Sequence, residues 1–132
     1  MKKILFLAAV LAFTACKKET AENNATSTEN YSEGQSAKAK TPEELGKEIF
    51  EGRGNCTACH QPDQKIIGPS IQEIAKIYKD KKGDMVTFLK GNAAPIVDPS
   101  QFEVMKTNFA ITKEMSDEEL KAIETYINSH LK

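Results

Sequence analysis

Four stretches of the chain after residue 40 carry apolar residues at the spacing of a helix with one buried face. In the first of them, Leu45, Ile49 and Phe50 fall on the same side of a helical turn. The other three stretches begin near residues 70, 84 and 116. No segment shows the strict alternation of a strand, and no internal repeat is found. The pattern predicts an all-α domain of about four helices.

Each of the four stretches begins with a residue that favours the start of a helix. Thr41 is followed by Pro42, which suits the first helical position, and Glu44 stands where it can close a capping box. Ser70 and Ser116 are likewise followed by Glu three positions later, and Asp84 can cap the third helix. These residues set the predicted helix starts.

The first predicted helix has a glycine in its interior. Gly46 costs about 1 kcal/mol of helix stability relative to Ala, so its presence indicates that another backbone comes close. Ile123 and Tyr126 of the last helix could pack across Gly46 and Phe50. We therefore expect the first and last helices to touch.

The N-terminus has the features of an export signal. A basic start precedes ten apolar residues from Ile4 to Phe13, a run too short to span a bilayer as a mature helix. The small residue Ala15 before Cys16 resembles the lipobox of bacterial lipoproteins, in which the cysteine becomes the lipid-modified N-terminus, although Phe13 replaces the usual Leu. Residues 1–15 are predicted to be a lipoprotein signal peptide. The alternative is a simple secretory signal in which Cys16 has no role.

The segment from Cys16 to residue 40 is predicted to be a lipid-modified tether. Residues 17–40 contain four Lys, four Glu and one aromatic residue, which cannot bury enough apolar surface to offset the entropy of ordering. The domain proper is then residues 41–132, with 12 Lys or Arg against 15 Asp or Glu, a balance that does not suggest nucleic-acid binding. We expect a protein in the bacterial periplasm, anchored to a membrane by lipid.

Cys56, Cys59 and His60 form the Cys-x-x-Cys-His pattern of covalent haem attachment. Two thiols at this spacing can each add to one vinyl group of a single porphyrin, which places His60 under the iron as an axial ligand. The other ring nitrogen of His60 must then donate a hydrogen bond, usually to a carbonyl. With Cys16 modified by lipid, none of the three cysteines is left as a free thiol.

Three other uses of a Cys-x-x-Cys pair fit the sequence less well. A zinc site needs two more Cys or His ligands, and beyond the motif only His130 remains. A thioredoxin-like redox pair needs a preceding strand, whereas the preceding segment is predicted to be helical. A structural disulfide fits an oxidising compartment but does not explain the adjacent histidine.

Ile67 and Pro69 follow the motif and are candidates for contact with the cofactor. Ile67 would press on the face or edge of the porphyrin. Pro69 has a fixed φ and no N–H, so its carbonyl is a rigidly placed acceptor for the His60 ring. Pro69 also stands just before the second helix and would serve as part of its start.

Met105 is the predicted second iron ligand. Met1 leaves with the signal peptide, Met85 belongs to a helical apolar pattern, and Met115 precedes the last helix, where it can form a hydrophobic staple with Leu120. Met105 is expected in an irregular stretch with no helical face of its own. Met115 is the runner-up.

The domain resembles a class I cytochrome c of the small bacterial type. The matching positions are Gly46, Phe50, Cys56, Cys59, His60, Gly68-Pro69, the turn Lys90-Gly91-Asn92, Met105, the helix start from Ser116 to Leu120, and Tyr126. The resemblance implies four helices around one largely buried haem c with an exposed edge. It also implies that the Pro69 carbonyl accepts from His60 and that the protein shuttles between larger redox enzymes.

We expect a one-electron carrier rather than an enzyme, because His60 and Met105 would occupy both axial positions of the iron. Its partners would be redox proteins, namely a donor reductase and an acceptor oxidase or reductase. One alternative is an electron-entry subunit held tightly in a terminal oxidase or reductase. The other is a haem enzyme or gas binder with an open iron position, which would need a distal acid/base residue.

Overall fold

The computed structural model describes residues 39–132. The predicted signal peptide, the lipidation site Cys16 and nearly all of the predicted tether lie outside the described residues. Within residues 39–132, no helix combines the length and the apolar character needed to cross a membrane.

The described residues form six α-helices and two short 3₁₀ helices, without a strand. The three longer helices are α1 Pro42–Glu51, α2 Ile71–Lys81 and α6 Asp117–Asn128. The three short helices are α3 Met85–Leu89, α4 Phe102–Lys106 and α5 Phe109–Thr112, and the 3₁₀ helices are Cys56–Ala58 and Pro99–Gln101. The predicted all-α class is confirmed.

All four predicted helix starts are confirmed. The capping boxes of α1 and α6 are complete, with Thr41 accepting from the Glu44 N–H and the Glu44 carboxylate accepting from the Thr41 N–H. Asp84 caps α3. Ser70 accepts from the Glu73 N–H, but the reciprocal bond from the predicted second capping box is absent.

Helices α1 and α6 cross at Gly46, as the sequence predicted. A Cβ atom at Gly46 would lie 1.9 Å from the carbonyl oxygen of Ala122, which is far inside van der Waals contact. Next to the crossing, the rings of Phe50 and Tyr126 pack with their centroids 5.3 Å apart. The crossing is therefore a backbone-to-backbone contact that only glycine permits.

A single buried cluster surrounds this crossing and includes residues from α1, α2, α3 and α6. Met115 and Leu120 both belong to it, which agrees with the predicted staple at the start of α6. Met115 is 5% exposed.

The prediction for the segment around Met105 was wrong in one respect. Met105 lies in helix α4, not in an irregular stretch, and α5 follows directly. Helices of four and five residues have little stability of their own. Aromatic packing stabilises them: the Phe102 ring lies 6.2 Å from Phe88 and 6.0 Å from Phe109. A single turn is too short to produce a detectable apolar period.

Replacing Gly46 by Ala tests the crossing. Ala favours an isolated helix by about 1 kcal/mol, yet here its methyl group would force α1 and α6 apart. We expect the free energy of unfolding of the haem-loaded protein to fall by about 1–3 kcal/mol, the usual cost of overpacking, in guanidinium titrations. Lys47→Ala, on the exposed side of the same helix, should change it by less than about 0.5 kcal/mol. Equal stability of the two variants would contradict the packing argument.

Candidate functional site

A large apolar cavity lies beside the α1–α6 crossing. It contains about 1170 Å³ of space not filled by atoms, part of it open to solvent. Phe50, Ile123 and Ile127 line it from α1 and α6. The predicted site residues that line it are Cys56, Cys59, His60, Ile67, Pro69 and Met105. One cavity thus brings together every predicted site residue within the domain.

The Cys-x-x-Cys-His segment enters the cavity through a tight turn. Asn55 adopts a left-handed conformation with φ of 51°, and the 3₁₀ helix Cys56–Ala58 follows. The N–H groups of Cys59 and His60 both donate to the Cys56 carbonyl, at 3.1 and 3.0 Å. Burial raises the pKa of the Cys56 thiol to about 11, and the nearby Cys59 adds to the shift. The turn presents both sulfurs and the imidazole to the same cavity.

The His60 ring is oriented by the segment that leads into α2. Its Nδ1 lies 2.8 Å from the Pro69 carbonyl oxygen, so an Nδ1–H donates there and Nε2 keeps its lone pair. The preceding Gly68 leaves room for the ring, because a Cβ there would lie 2.5 Å from His60 Cε1. A further bond, from the Gly68 N–H to the Cys59 carbonyl at 2.8 Å, holds Gly68 against the His60 ring. The fixed tautomer leaves Nε2 available as a metal ligand.

The three methionines of the domain lie in different surroundings. Met105 is half-buried and lines the cavity, whereas Met115 is buried in the core and does not line it. Met85, expected in the core, is 2% exposed and also lines the cavity. Sequence pattern alone missed this second role, because an apolar period does not distinguish a wall of a cavity from solid core.

Asp98 is a charged residue of the cavity lining that the sequence did not single out. Its carboxylate accepts hydrogen bonds from Lys65 Nζ, at 2.8 Å, and from the Ser100 hydroxyl. The Lys65 bond, followed by the Ser100 bond, lowers the pKa of Asp98 to about 2. The partners Lys65 and Asp98 lie 33 positions apart in the chain, and no local motif predicts such a pair.

Comparison with known protein families agrees with this geometry. The family model described as cytochrome c matches residues 43–131. The chain belongs to the cytochrome c family. Its all-α fold is that of class I, and membership implies one covalently bound haem c with its iron.

Three curated relatives agree with this assignment. Cytochrome c-552 of Nitrosomonas europaea is 46% identical over 39 residues, covering 30% of this chain and 37% of the relative. Cytochrome c2 of Rubrivivax gelatinosus is 49% identical over 43 residues, or 33% and 45% of the two chains. Cytochrome c-551 of Pseudomonas denitrificans is 36% identical over 62 residues, or 41% and 73%. The first two alignments span less than half of each relative.

The cavity fits a haem c on its own chemistry. Two thiols at the attachment spacing and an imidazole with a free Nε2 lie along one wall, the thioethers of Met105 and Met85 lie in the lining, and most of the remaining lining is apolar. The other uses of the cysteines find no support in the described range. No three His, Cys, Asp or Glu side chains of residues 39–132 form a metal cluster. Helix α1, not a strand, precedes the motif, and no disulfide joins Cys56 to Cys59.

Gly68→Ala tests the support of the His60 ring. The added methyl group would overlap His60 Cε1, so the ring must tilt and its bond to Pro69 must lengthen. We expect shifted His60 ring-proton resonances in the NMR spectrum of the haem-loaded protein and a loss of about 1–3 kcal/mol of stability. In Gly52→Ala the new methyl group would instead meet the Glu48 carbonyl, and neither residue lines the cavity. That control should leave the His60 resonances in place, and unshifted resonances in Gly68→Ala would refute the steric argument.

Proposed function

We propose that this cytochrome c is a one-electron carrier whose iron is ligated by His60 and Met105. The observation that carries the proposal is the position of both side chains on one cavity with the two attachment cysteines. Met115 is the weaker candidate, because it is buried in the core and does not line the cavity. Met85 also lines the cavity, but it is 2% exposed and belongs to the buried core cluster at the first turn of α3.

Haem c supplies one iron that changes between its ferrous and ferric forms. The imidazole of His60, held by Pro69, is a nitrogen ligand of fixed orientation. The thioether of Met105 is a soft ligand that favours the ferrous form and so raises the reduction potential relative to two histidines. With His60 and Met105 both on the iron, no position would be left for an external ligand, and electron transfer through the haem edge would be the chemistry that remains.

A haem enzyme is a poorer match for this cavity. Such an enzyme needs an open iron position and a group that transfers protons beside it. Asp98 is the carboxylate that lines the cavity, and its bond to Lys65 holds it ionised at any pH well above 2. A carboxylate of this kind is a weak general acid and a weak base. The cavity therefore supports a carrier better than a peroxidase or gas binder.

The mouth of the cavity offers a surface for a redox partner. Ile66, Ile67 and Val104 are 44%, 55% and 48% exposed, and the latter two line the cavity. Apolar side chains around an exposed haem edge would let a partner protein exclude water there for a short-lived complex. We propose that a donor reductase and an acceptor oxidase or reductase dock here in turn.

A lipid anchor at Cys16 is proposed from the sequence alone. The resemblance of residues 13–16 to a lipobox supports it, and several acyl chains on one cysteine would give stable attachment. The protein would then work in the bacterial periplasm, with residues 17–40 as a tether between the membrane and the domain.

The visible spectrum of the oxidised protein tests the iron ligands. A weak long-wavelength band from sulfur-to-iron charge transfer is expected in the wild type. Met105→Ala should lose this band and let carbon monoxide bind the reduced protein, whereas Met115→Ala and Met85→Leu should keep it. If the band survives in Met105→Ala, the proposed ligation is wrong. If wild-type reduced protein binds carbon monoxide readily, the carrier proposal itself fails.

Cys16→Ser tests the anchor. Wild-type protein expressed with its own signal in a bacterium that matures lipoproteins should fractionate with membranes and enter the detergent phase. In cells supplied with labelled fatty acid the wild type should become labelled and the variant should not, and the haem spectrum of the variant should be unchanged. Equal incorporation of the label by both proteins would refute lipidation at Cys16.

A further inference from the structure

Two walls of the cavity meet at its solvent-exposed mouth without sharing a secondary-structure element. One wall comes from residues 59–69, which carry His60, and the other from residues 95–107, which carry Met105. Among the hydrogen bonds and ion pairs of the described residues, only the bond between Lys65 Nζ and Asp98 joins these two ranges. Asp98 lines the cavity, and the bond ties its wall to Lys65, which lies between two lining segments of the other wall, at residues 58–60 and 67–69.

Both ends of this ion pair are held by local structure. Lys65 forms an isolated antiparallel bridge with His60, so its backbone is tied to the histidine of the motif. Asp98 also accepts from the Ser100 hydroxyl and leads directly into the 3₁₀ helix Pro99–Gln101, which continues into α4. The Lys65 side chain is 55% exposed and that of Asp98 is 18% exposed. The contact is therefore fixed in place at the surface.

The helix that carries Met105 has few polar attachments of its own. Met105 packs against the edge of the buried cluster, and earlier in the same wall the Ile96 carbonyl accepts from Lys81 Nζ at 2.9 Å. Helix α4 has no buried residue and no side-chain cap. Phe102, at its first position, packs on Phe88 and Phe109, and Asn108, just beyond its end, donates to the Gly54 carbonyl at 3.1 Å. A segment with so little buried surface belongs to the part of a protein that opens most easily.

We propose that the Lys65–Asp98 ion pair is a clasp that holds the Met105 segment against the His60 wall and keeps external ligands away from the iron. This inference rests on the proposed ligation by His60 and Met105. An exposed ion pair adds little to global stability. Its effect here is on a local opening, in which the Met105 wall moves away from the cavity and the mouth widens.

The rate at which imidazole binds the oxidised protein measures this opening. The probe is used at mildly alkaline pH, where it is neutral. Lys65→Met and Asp98→Asn should each increase the rate roughly two- to fivefold, the factor that corresponds to an exposed ion pair. The double variant should be no faster than either single variant, because the same contact is lost in all three. The charge-reversed pair, Lys65→Asp with Asp98→Lys, should return the rate towards that of the wild type.

The direction in which each variant shifts the rate of imidazole binding distinguishes a clasp from a simple charge effect. If the two residues acted only through the electric field at the iron, removing the positive charge and removing the negative charge would shift the rate in opposite directions. High salt should speed the wild type towards the variants and leave the variants unchanged, since screening weakens the pair. Opposite shifts, or no change in either single variant, would overturn the inference.

Two controls complete the experiment. Lys76→Met removes an equal charge from an exposed pair with Asp80 on α2, away from the mouth, and should not alter imidazole binding. The sulfur-to-iron band is recorded for every protein. If the wild type lacks the band, both the proposed ligation and the clasp are wrong. If the band is present and the two single variants bind imidazole at the wild-type rate, only the clasp is wrong.

Discussion

The crossing of α1 and α6 at Gly46 is the contact on which the rest of the domain depends. The absence of a side chain lets the two backbones meet, and Phe50 and Tyr126 pack beside the contact. The same two helices supply Phe50, Ile123 and Ile127 to the cavity. The first and last helices therefore form both the centre of the core and the fixed back of the cofactor site.

The turn that carries Cys56, Cys59 and His60 is positioned by its connection to α1. The Gly54 N–H donates to the Ile49 carbonyl at 2.8 Å, which ties the turn to the end of α1. From there the chain carries Cys56, Cys59 and His60 into the cavity, and Gly68 and Pro69 return to orient the imidazole. The Met105 side is built differently, from short helices joined by aromatic contacts, so the two walls differ in how firmly they are held.

Most of the fold could be predicted from local sequence signals, and the elements and contacts that could not be predicted were missed for physical reasons. The helix starts were predictable because capping depends on residues three positions apart. The close approach at Gly46 was predictable because a glycine inside a helix lowers its stability, and a close backbone contact explains why that cost is accepted. Helices α4 and α5 were missed because each is too short to show an apolar period, and because Phe102 and Phe109 pack on Phe88, which lies at least 14 positions away in the sequence. The cavity-lining role of Met85 and the pairing of Lys65 with Asp98 were missed for the same reason.

The wide separation of α1 and α6 along the chain has a consequence for how the domain forms. Its contact with α1 closes a loop of more than 70 residues, and closing such a loop costs entropy before any packing is gained. Until α6 packs on α1, the domain lacks the back of the cavity. Stable enclosure of the porphyrin therefore waits for this long-range contact, whereas the attachment motif is local and needs only a few neighbouring residues.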